Sequence, residues 1–149
     1  MKKSLIVLAL AASAIVAAFV CISQVQVAQA QKAREVVYAS SEKVTYTPRP
    51  GGGPSMHVLR GDPQEGAHAT FTKFTPGYDA GWHTHTNDVS CTVIKGAYLY
   101  KDDAGEKRVG PGDYIFIPGG HKHWSGGDKT EGAVFYEEGS GKFDLVPAK

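Results

Sequence analysis

The chain of 149 residues carries 16 basic and 15 acidic side chains, so its formal net charge is +1. This near-neutral balance, without a basic block or an acidic tail, excludes nucleic acid as an expected partner. The length suffices for one domain with one core, and two cysteines are too few for a disulfide framework.

The N-terminus has the pattern of a secretory signal peptide. Two lysines precede an uncharged apolar run over residues 5–22, and Ala28-Gln29-Ala30 forms a small-any-small cleavage site. Residues 1–30 are therefore predicted to be removed on export, which leaves a periplasmic or secreted protein that begins at Gln31. The alternative is an uncleaved N-terminal membrane anchor, because the apolar run nearly reaches the length that spans a bilayer.

The mature chain is predicted to have two parts. Residues 31–57 form an N-terminal extension that contains a short alternating run over 44–47 and a Pro/Gly-rich loop over 48–54. Residues 58–149 form the folded domain. Cys91 is the only cysteine after residue 30, so the mature chain cannot form an intrachain disulfide.

The folded domain has the pattern of short strands separated by turns. Its runs alternate in polarity or are rich in β-branched and aromatic residues, and Gly, Pro and Asp mark the turns between them. The predicted strands cover residues 67–74, 89–100 with an interruption at Gly96, 107–109, 114–117, 133–136 and 142–146. No window shows a convincing helical period, so the predicted fold class is all-β, a sandwich or a barrel.

Three histidines have the spacing of a metal site. His83 and His85 are two residues apart, so a strand directs both imidazoles to one face, whereas a helix would turn them to nearly opposite sides. His123 follows a Pro-Gly-Gly bend and supplies a third ligand from a second strand. Three imidazoles suit one divalent transition metal, Fe, Mn, Ni, Cu or Zn. The alternative is a pair of solvent-facing histidines on an edge strand.

Two motifs around these histidines resemble those of the cupin superfamily. The first reads Gly, five residues, His-any-His, three or four residues, Glu, six residues, Gly. The second reads Gly, five residues, Pro-any-Gly, two residues, His. The matching positions of this chain are Gly77, His83, His85, Gly96, Gly112, Pro118, Gly120 and His123.

The similarity extends over residues 58–146, where the sequence resembles the small cupins of the DUF4437 and ChrR-like groups. This resemblance implies a double-stranded β-helix, which is a jelly-roll barrel with the metal inside. It also implies a homodimer, which is frequent in the superfamily.

The chain departs from the first motif at the carboxylate ligand. The place of the Glu falls on Val89 or Ser90 counted from His85, and on Val89 counted back from Gly96. An ion held by three neutral imidazoles keeps a charge of about +2, which favours a small anionic or chelating ligand. Asp88 could supply the missing carboxylate, but only if a bulge shifts it onto the face of the histidines.

Three further residues are candidates for the site, each with an alternative role. Cys91 is either a buried inert thiol or a cavity thiol that oxidises or touches the metal. Tyr98 either packs the barrel or stacks on a substrate. His121 is in phase with His123, and it is either an acid–base residue of the pocket or an exposed loop histidine.

These observations predict an exported metal-binding protein that acts on a small molecule. The favoured function is a dioxygenase-type oxidoreductase, because an incomplete coordination sphere can hold substrate and dioxygen together. The superfamily that the chain resembles includes dioxygenases built on three histidines. One alternative is a non-enzymatic ligand-binding or sensor protein. The other is a metal-assisted isomerase or lyase in which His121 acts as the base.

Overall fold

The computed structural model describes residues 36–49 and 53–149. The predicted signal peptide and its membrane-anchor alternative concern residues 1–30, which lie outside the described residues. Within the described ranges, no helix has the length and hydrophobicity that crossing a membrane requires. The residues from Ala39 to Lys149 form one compact unit.

The described residues form two antiparallel sheets. The strands in chain order are β1 (Thr47–Pro48), β2 (Ser55–Gly61), β3 (His68–Phe74), β4 (Asp79–Thr84), β5 (Val89–Gly96), β6 (Tyr98–Asp102), β7 (Gly105–Val109), β8 (Tyr114–Ile117), β9 (His123–Gly127), β10 (Ala133–Gly139) and β11 (Val146–Pro147). One sheet has the order β1-β2-β3-β10-β5-β8, and the other has the order β11-β4-β9-β6-β7. Strands distant in sequence are neighbours in both sheets, which confirms the predicted double-stranded β-helix.

The two sheets face each other across an aromatic cluster. Phe74 on β3 and Phe135 on β10 belong to the six-stranded sheet, and Tyr98 on β6 belongs to the five-stranded sheet. The ring of Phe135 lies 4.9 Å from that of Phe74 and 5.3 Å from that of Tyr98, measured between centroids. These edge-to-face contacts are favourable for aromatic rings, so the cluster holds the sheets together.

Alternation along β5 separates an inner from an outer face. Val89, Cys91 and Val93 are buried, whereas Ser90 and Thr92 between them are partly exposed on the other side. The strand ends at Gly96, whose φ of +71° and close approach to the Gly132 carbonyl leave no room for a Cβ. The chain passes there from one sheet to the other.

The six-stranded sheet begins upstream of the predicted boundary at residue 58. β1 pairs with β2 through Thr47 and Met56, and Arg49, which the sequence places in the Pro/Gly-rich loop, is buried. Local composition could not predict this burial, because Arg49 makes its contacts with β10, which is distant in sequence. At the other end, the predicted strand over 142–146 is reduced to β11, and the residues before it lie over the histidines.

The aromatic cluster leads to a stability prediction. Phe135→Ala removes a fully buried ring between the sheets and should lower the free energy of unfolding by about 3–5 kcal/mol. Phe116→Ala is the matched control, because its ring is 53% exposed on β8 and its loss should change stability by no more than about 0.5 kcal/mol. Urea denaturation of both variants measures the difference, and equal losses would contradict this description of the core.

Candidate metal centre

Two neighbouring strands bring the three predicted histidines together. His83 on β4 lies directly opposite His123 on β9, and His85 follows two residues after His83 on the same face. One nitrogen from each ring lies within 4.8 Å of the others. All three side chains are buried; His83 and His123 lie on β4 and β9, which are not at the sheet edge, and His85 lies one residue beyond the end of β4. The alternative of two solvent-facing histidines on an edge strand is therefore wrong.

Each imidazole is oriented by a backbone carbonyl. The Nδ1–H groups of His83, His85 and His123 donate to the carbonyl oxygens of Gly81 at 2.8 Å, Asp144 at 2.6 Å and His121 at 3.0 Å. Because a carbonyl only accepts, these bonds fix the proton on Nδ1 and leave an Nε2 lone pair on every ring. The Nε2 of His123 is buried without a hydrogen-bond partner. An unpaired buried acceptor beside two others fits a bound metal ion.

Burial keeps the ligands in the form that binds metal. Desolvation lowers the pKa of His83 below its usual value, and it lowers the pKa of His123 to about 4, with further lowering by the neighbouring imidazoles. Both rings are therefore neutral at pH 7, and a neutral imidazole is the form that coordinates metal.

His83 and His85 open onto a cavity inside the barrel, and His123 lies behind them. The volume of this cavity is about 470 Å³, and its lining includes His83, His85, Val89, Cys91 and Tyr98. This volume falls within the range of small-molecule sites. The sequence left two roles open for Cys91 and for Tyr98. The structure places both residues at the same cavity as His83 and His85.

Cys91 and Tyr98 hold their protons in this environment. Burial is the main cause that raises the pKa of the Cys91 thiol and that of the Tyr98 phenol well above their usual values. Both groups are therefore protonated at neutral pH and can donate a hydrogen bond into the cavity. Tyr98 also belongs to the aromatic cluster, so it contributes to packing as well as to the cavity wall.

The place of the usual Glu is occupied by an apolar side chain. Val89 points inward with 5% exposure and lines the cavity, whereas Ser90 points to the outer face. Among the described residues, the cluster able to hold a metal contains only the three histidines. Counting backward from Gly96 places the family's Glu position on Val89, and the inward orientation of Val89 on β5 agrees with this count. Ser90 does not line the cavity.

The structure does not bring Asp88 to the histidines. Its Oδ1 accepts a hydrogen bond from the backbone N–H of Gly119 at 2.8 Å, and its own N–H donates to Ser140 Oγ at 3.1 Å. The bulge that Asp88 would need is absent, because β5 pairs in regular register with β8 from Val89 onward. Asp88 instead connects its own loop to the loop that contains Gly119, and this second loop leads into His123.

His121 lies behind the site and does not line the cavity. Its Nε2 is 2.9 Å from the Tyr100 hydroxyl and 3.1 Å from Asp102 Oδ2, and Tyr100 donates to the same carboxylate at 2.8 Å. The Tyr100 ring stacks on His123 with 5.5 Å between centroids. His121 is thus placed to support His123 through Tyr100 and through its own carbonyl, and the predicted acid–base role has no contact with the cavity.

An ion pair that the sequence did not predict lies at the same cavity. Arg49 donates to Glu137 on β10, and both side chains are 6% exposed. Glu137 carried a signal that could have been used, because it shares the inward phase of Ala133 and Phe135 on a strand of alternating polarity. Arg49 carried none, since it lies among prolines and glycines.

The three histidines lead to a prediction on metal content. His83→Ala, His85→Ala or His123→Ala should each remove most of the bound metal, because each change deletes one of only three protein ligands. His57→Ala is the control, since this partly exposed histidine lies on β2 outside the cluster and should leave metal content unchanged. Elemental analysis of the purified proteins measures both, and full occupancy in His123→Ala would contradict the ligand set.

The carboxylate position leads to a second prediction. Val89→Glu should raise the affinity for a divalent metal by adding an anionic ligand, and should destabilise the metal-free protein because an unpaired carboxylate is buried. Ser90→Glu, one residue away on the outer face, should do neither. Metal titration and thermal melting compare the two variants. A gain in affinity from Ser90→Glu alone would show that the phase of β5 is inverted.

Comparisons with known proteins agree with this fold. The family model described as ChrR Cupin-like domain matches residues 34–140. The (R)-mandelonitrile lyase of Granulicella tundricola is 33% identical over 70 residues, which are 46% of this chain and 53% of that protein. The chain thus aligns with about half the length of this curated relative.

Solved structures show the same fold at low sequence identity. The polyketide cyclase RemF from Streptomyces resistomycificus has a TM-score of 0.64 and 18% identity, with 77% of this chain and 87% of that chain covered. A protein of unknown function with a cupin-like fold from Ralstonia eutropha has a TM-score of 0.58 and 21% identity, with 76% and 79% covered. Since the family model spans more than half of its length, the chain belongs to the ChrR cupin-like family.

Proposed function

We propose that this protein is a metal-dependent lyase that acts on a small compound with a hydroxyl or carbonyl oxygen. One observation carries the proposal: among the described residues, three imidazole nitrogens converge without a protein carboxylate, and two of these rings, His83 and His85, line a cavity large enough for a small molecule. A divalent ion bound there supplies a Lewis acid that polarises the oxygen of a ligand.

The side chains around the histidines suit such a ligand. Phe74, Val89 and Phe143 give the cavity apolar walls, which would hold the carbon skeleton of the ligand and exclude water. The Tyr98 hydroxyl and the Cys91 thiol are protonated, so either could donate a hydrogen bond to an oxygen that gains negative charge. These donors require no movement, because both lie on strands of the barrel.

The curated relative favours a lyase over the other functions predicted from the sequence. It is named a mandelonitrile lyase, and the matched segment is 33% identical. A non-redox reaction also needs no co-substrate beyond the ligand itself. The base predicted for this reaction, His121, does not line the cavity, so the proposed lyase does not use it as the base.

A dioxygenase-type oxidoreductase is the second candidate. The observation that favours it is the absence of a carboxylate from the histidine cluster in the described residues, which leaves several positions of an ion open to a substrate and dioxygen. The two candidates differ in one measurable respect, since only the second consumes dioxygen.

The test is turnover with and without dioxygen. The purified protein, reconstituted separately with Mn²⁺, Fe²⁺ and Zn²⁺, is incubated with mandelonitrile and other small 2-hydroxy compounds, and carbonyl products are measured under air and under argon. We expect cleavage at equal rates in both atmospheres. Cleavage that stops under argon and consumes dioxygen under air would establish the second candidate instead.

The matched controls separate the metal site from the scaffold. His123→Ala should lose activity with its metal, while Ser90→Ala on the outer face of β5 should keep both. Metal-loaded protein that binds 2-hydroxy compounds but converts none of them would contradict both enzyme proposals and support the ligand-binding protein.

Export and self-association stay predictions. The signal peptide and the periplasmic or secreted location concern residues outside the described ranges. The homodimer would need a surface, and Tyr114 and Phe116 offer one, since both rings are more than half exposed on β8, an edge strand of the six-stranded sheet.

A further inference from the structure

Arg49 is a buried cation with unused hydrogen-bond donors. Its side chain is 6% exposed, and all of its hydrogen bonds come from Nη2, which donates to Glu137 Oε1 and to Thr72 Oγ1. The nitrogens Nε and Nη1 are buried without a partner. Because buried guanidinium N–H groups are costly to leave unpaired, this arrangement calls for an acceptor that the described residues do not supply.

The arginine that carries these donors borders the same cavity as two of the histidines. Arg49 lines this cavity together with His83 and His85. One face of its guanidinium lies against the Phe143 ring, with 3.7 Å from Cζ to the ring centroid, and this ring is also 5.3 Å from that of His85. Phe143 therefore contacts both the arginine and a predicted metal ligand, and its ring restricts the plane of the guanidinium.

The acidic groups of the cavity are already engaged. Glu137 is paired with Arg49, Asp144 accepts from the Thr86 backbone N–H at 2.8 Å, and Asp79 accepts from Trp124 Nε1 at 2.7 Å. In the described part of the chain, the cavity lining contains no lysine and no arginine other than Arg49. A bound ligand with a carboxylate would supply an anionic acceptor for its N–H groups.

We propose that Arg49 binds the carboxylate of the substrate, so that the site takes small 2-hydroxy or 2-oxo carboxylates. The ligand would place its hydroxyl or carbonyl oxygen at the three histidines and its carboxylate at Nε or Nη1 of Arg49. A carboxylate accepting charge-assisted hydrogen bonds from a guanidinium satisfies the donors that the fold leaves unpaired. The inference rests on the proposed function for the histidine end of the site.

The test compares an acid with its neutral analogue. Zinc-loaded protein is titrated with mandelate and with mandelamide, which differ in the charged group and share the 2-hydroxyl and the ring. We expect mandelate to bind wild-type protein at least about tenfold more tightly. Arg49→Lys keeps a positive charge for Glu137 but removes the guanidinium donors, so it should lose about tenfold or more in mandelate affinity with little change for mandelamide.

Arg60→Lys is the matched control. Arg60 also pairs with a glutamate of β10, Glu138 at 2.8 Å, but its side chain is 71% exposed and lies outside this cavity. It should leave both affinities unchanged. Equal losses in Arg49→Lys and Arg60→Lys, no loss in Arg49→Lys, or no mandelate binding by the wild-type protein would each overturn the inference.

A second measurement does not require the variant to fold. In zinc-loaded wild-type protein labelled with ¹⁵N-arginine, mandelate should shift the Nε–H resonance of Arg49 and leave that of Arg60 in place. Mandelate binding without this shift would overturn the inference. The metal site fails separately: if mandelate affinity depends on Arg49 but is equal in the His123→Ala protein and the wild type, the carboxylate site stands and the proposed lyase does not.

Discussion

The register of β4 against β9 is the constraint on which the site depends. It places His83 directly opposite His123, and His85 follows on the same face. A slip of one residue would turn these side chains to the outer surface and remove the convergence. Pairing of β11 with β4 and of β6 with β9 holds the register from both sides. His83 and His123 thus lie within a sheet whose neighbouring strands fix their positions, and His85 lies one residue beyond the end of β4.

The C-terminal segment connects the two ends of the proposed site. The carbonyl of Asp144 orients His85, while the carboxylate of Asp144 accepts from Thr86 next to it. Phe143 contacts both the His85 ring and the Arg49 guanidinium. Residues 143 and 144 therefore position a metal ligand and a cation together, which explains why this stretch follows an irregular path although its sequence alternates like a strand.

The sequence was sufficient for the features that depend on local spacing. Strand alternation predicted that His83 and His85 share a face, whereas the motif spacing left the carboxylate position open between Val89 and Ser90. It was insufficient where contacts are distant in sequence. Arg49 finds Glu137 across the barrel, and Asp88 is held by Gly119 of another loop. His121 was in phase with His123, but phase alone could not show that Tyr100 and Asp102 hold its ring away from the cavity.

The proposed function depends on one divalent ion bound to three imidazole nitrogens with no protein carboxylate. The decisive measurement is a crystal structure of the metal-loaded protein, with anomalous scattering recorded at the absorption edge of the metal. We expect a single anomalous peak about 2.0–2.2 Å from Nε2 of His83, His85 and His123, with only solvent or a bound ligand at the remaining positions. A peak coordinated by Asp88, or located away from these three rings, would contradict it.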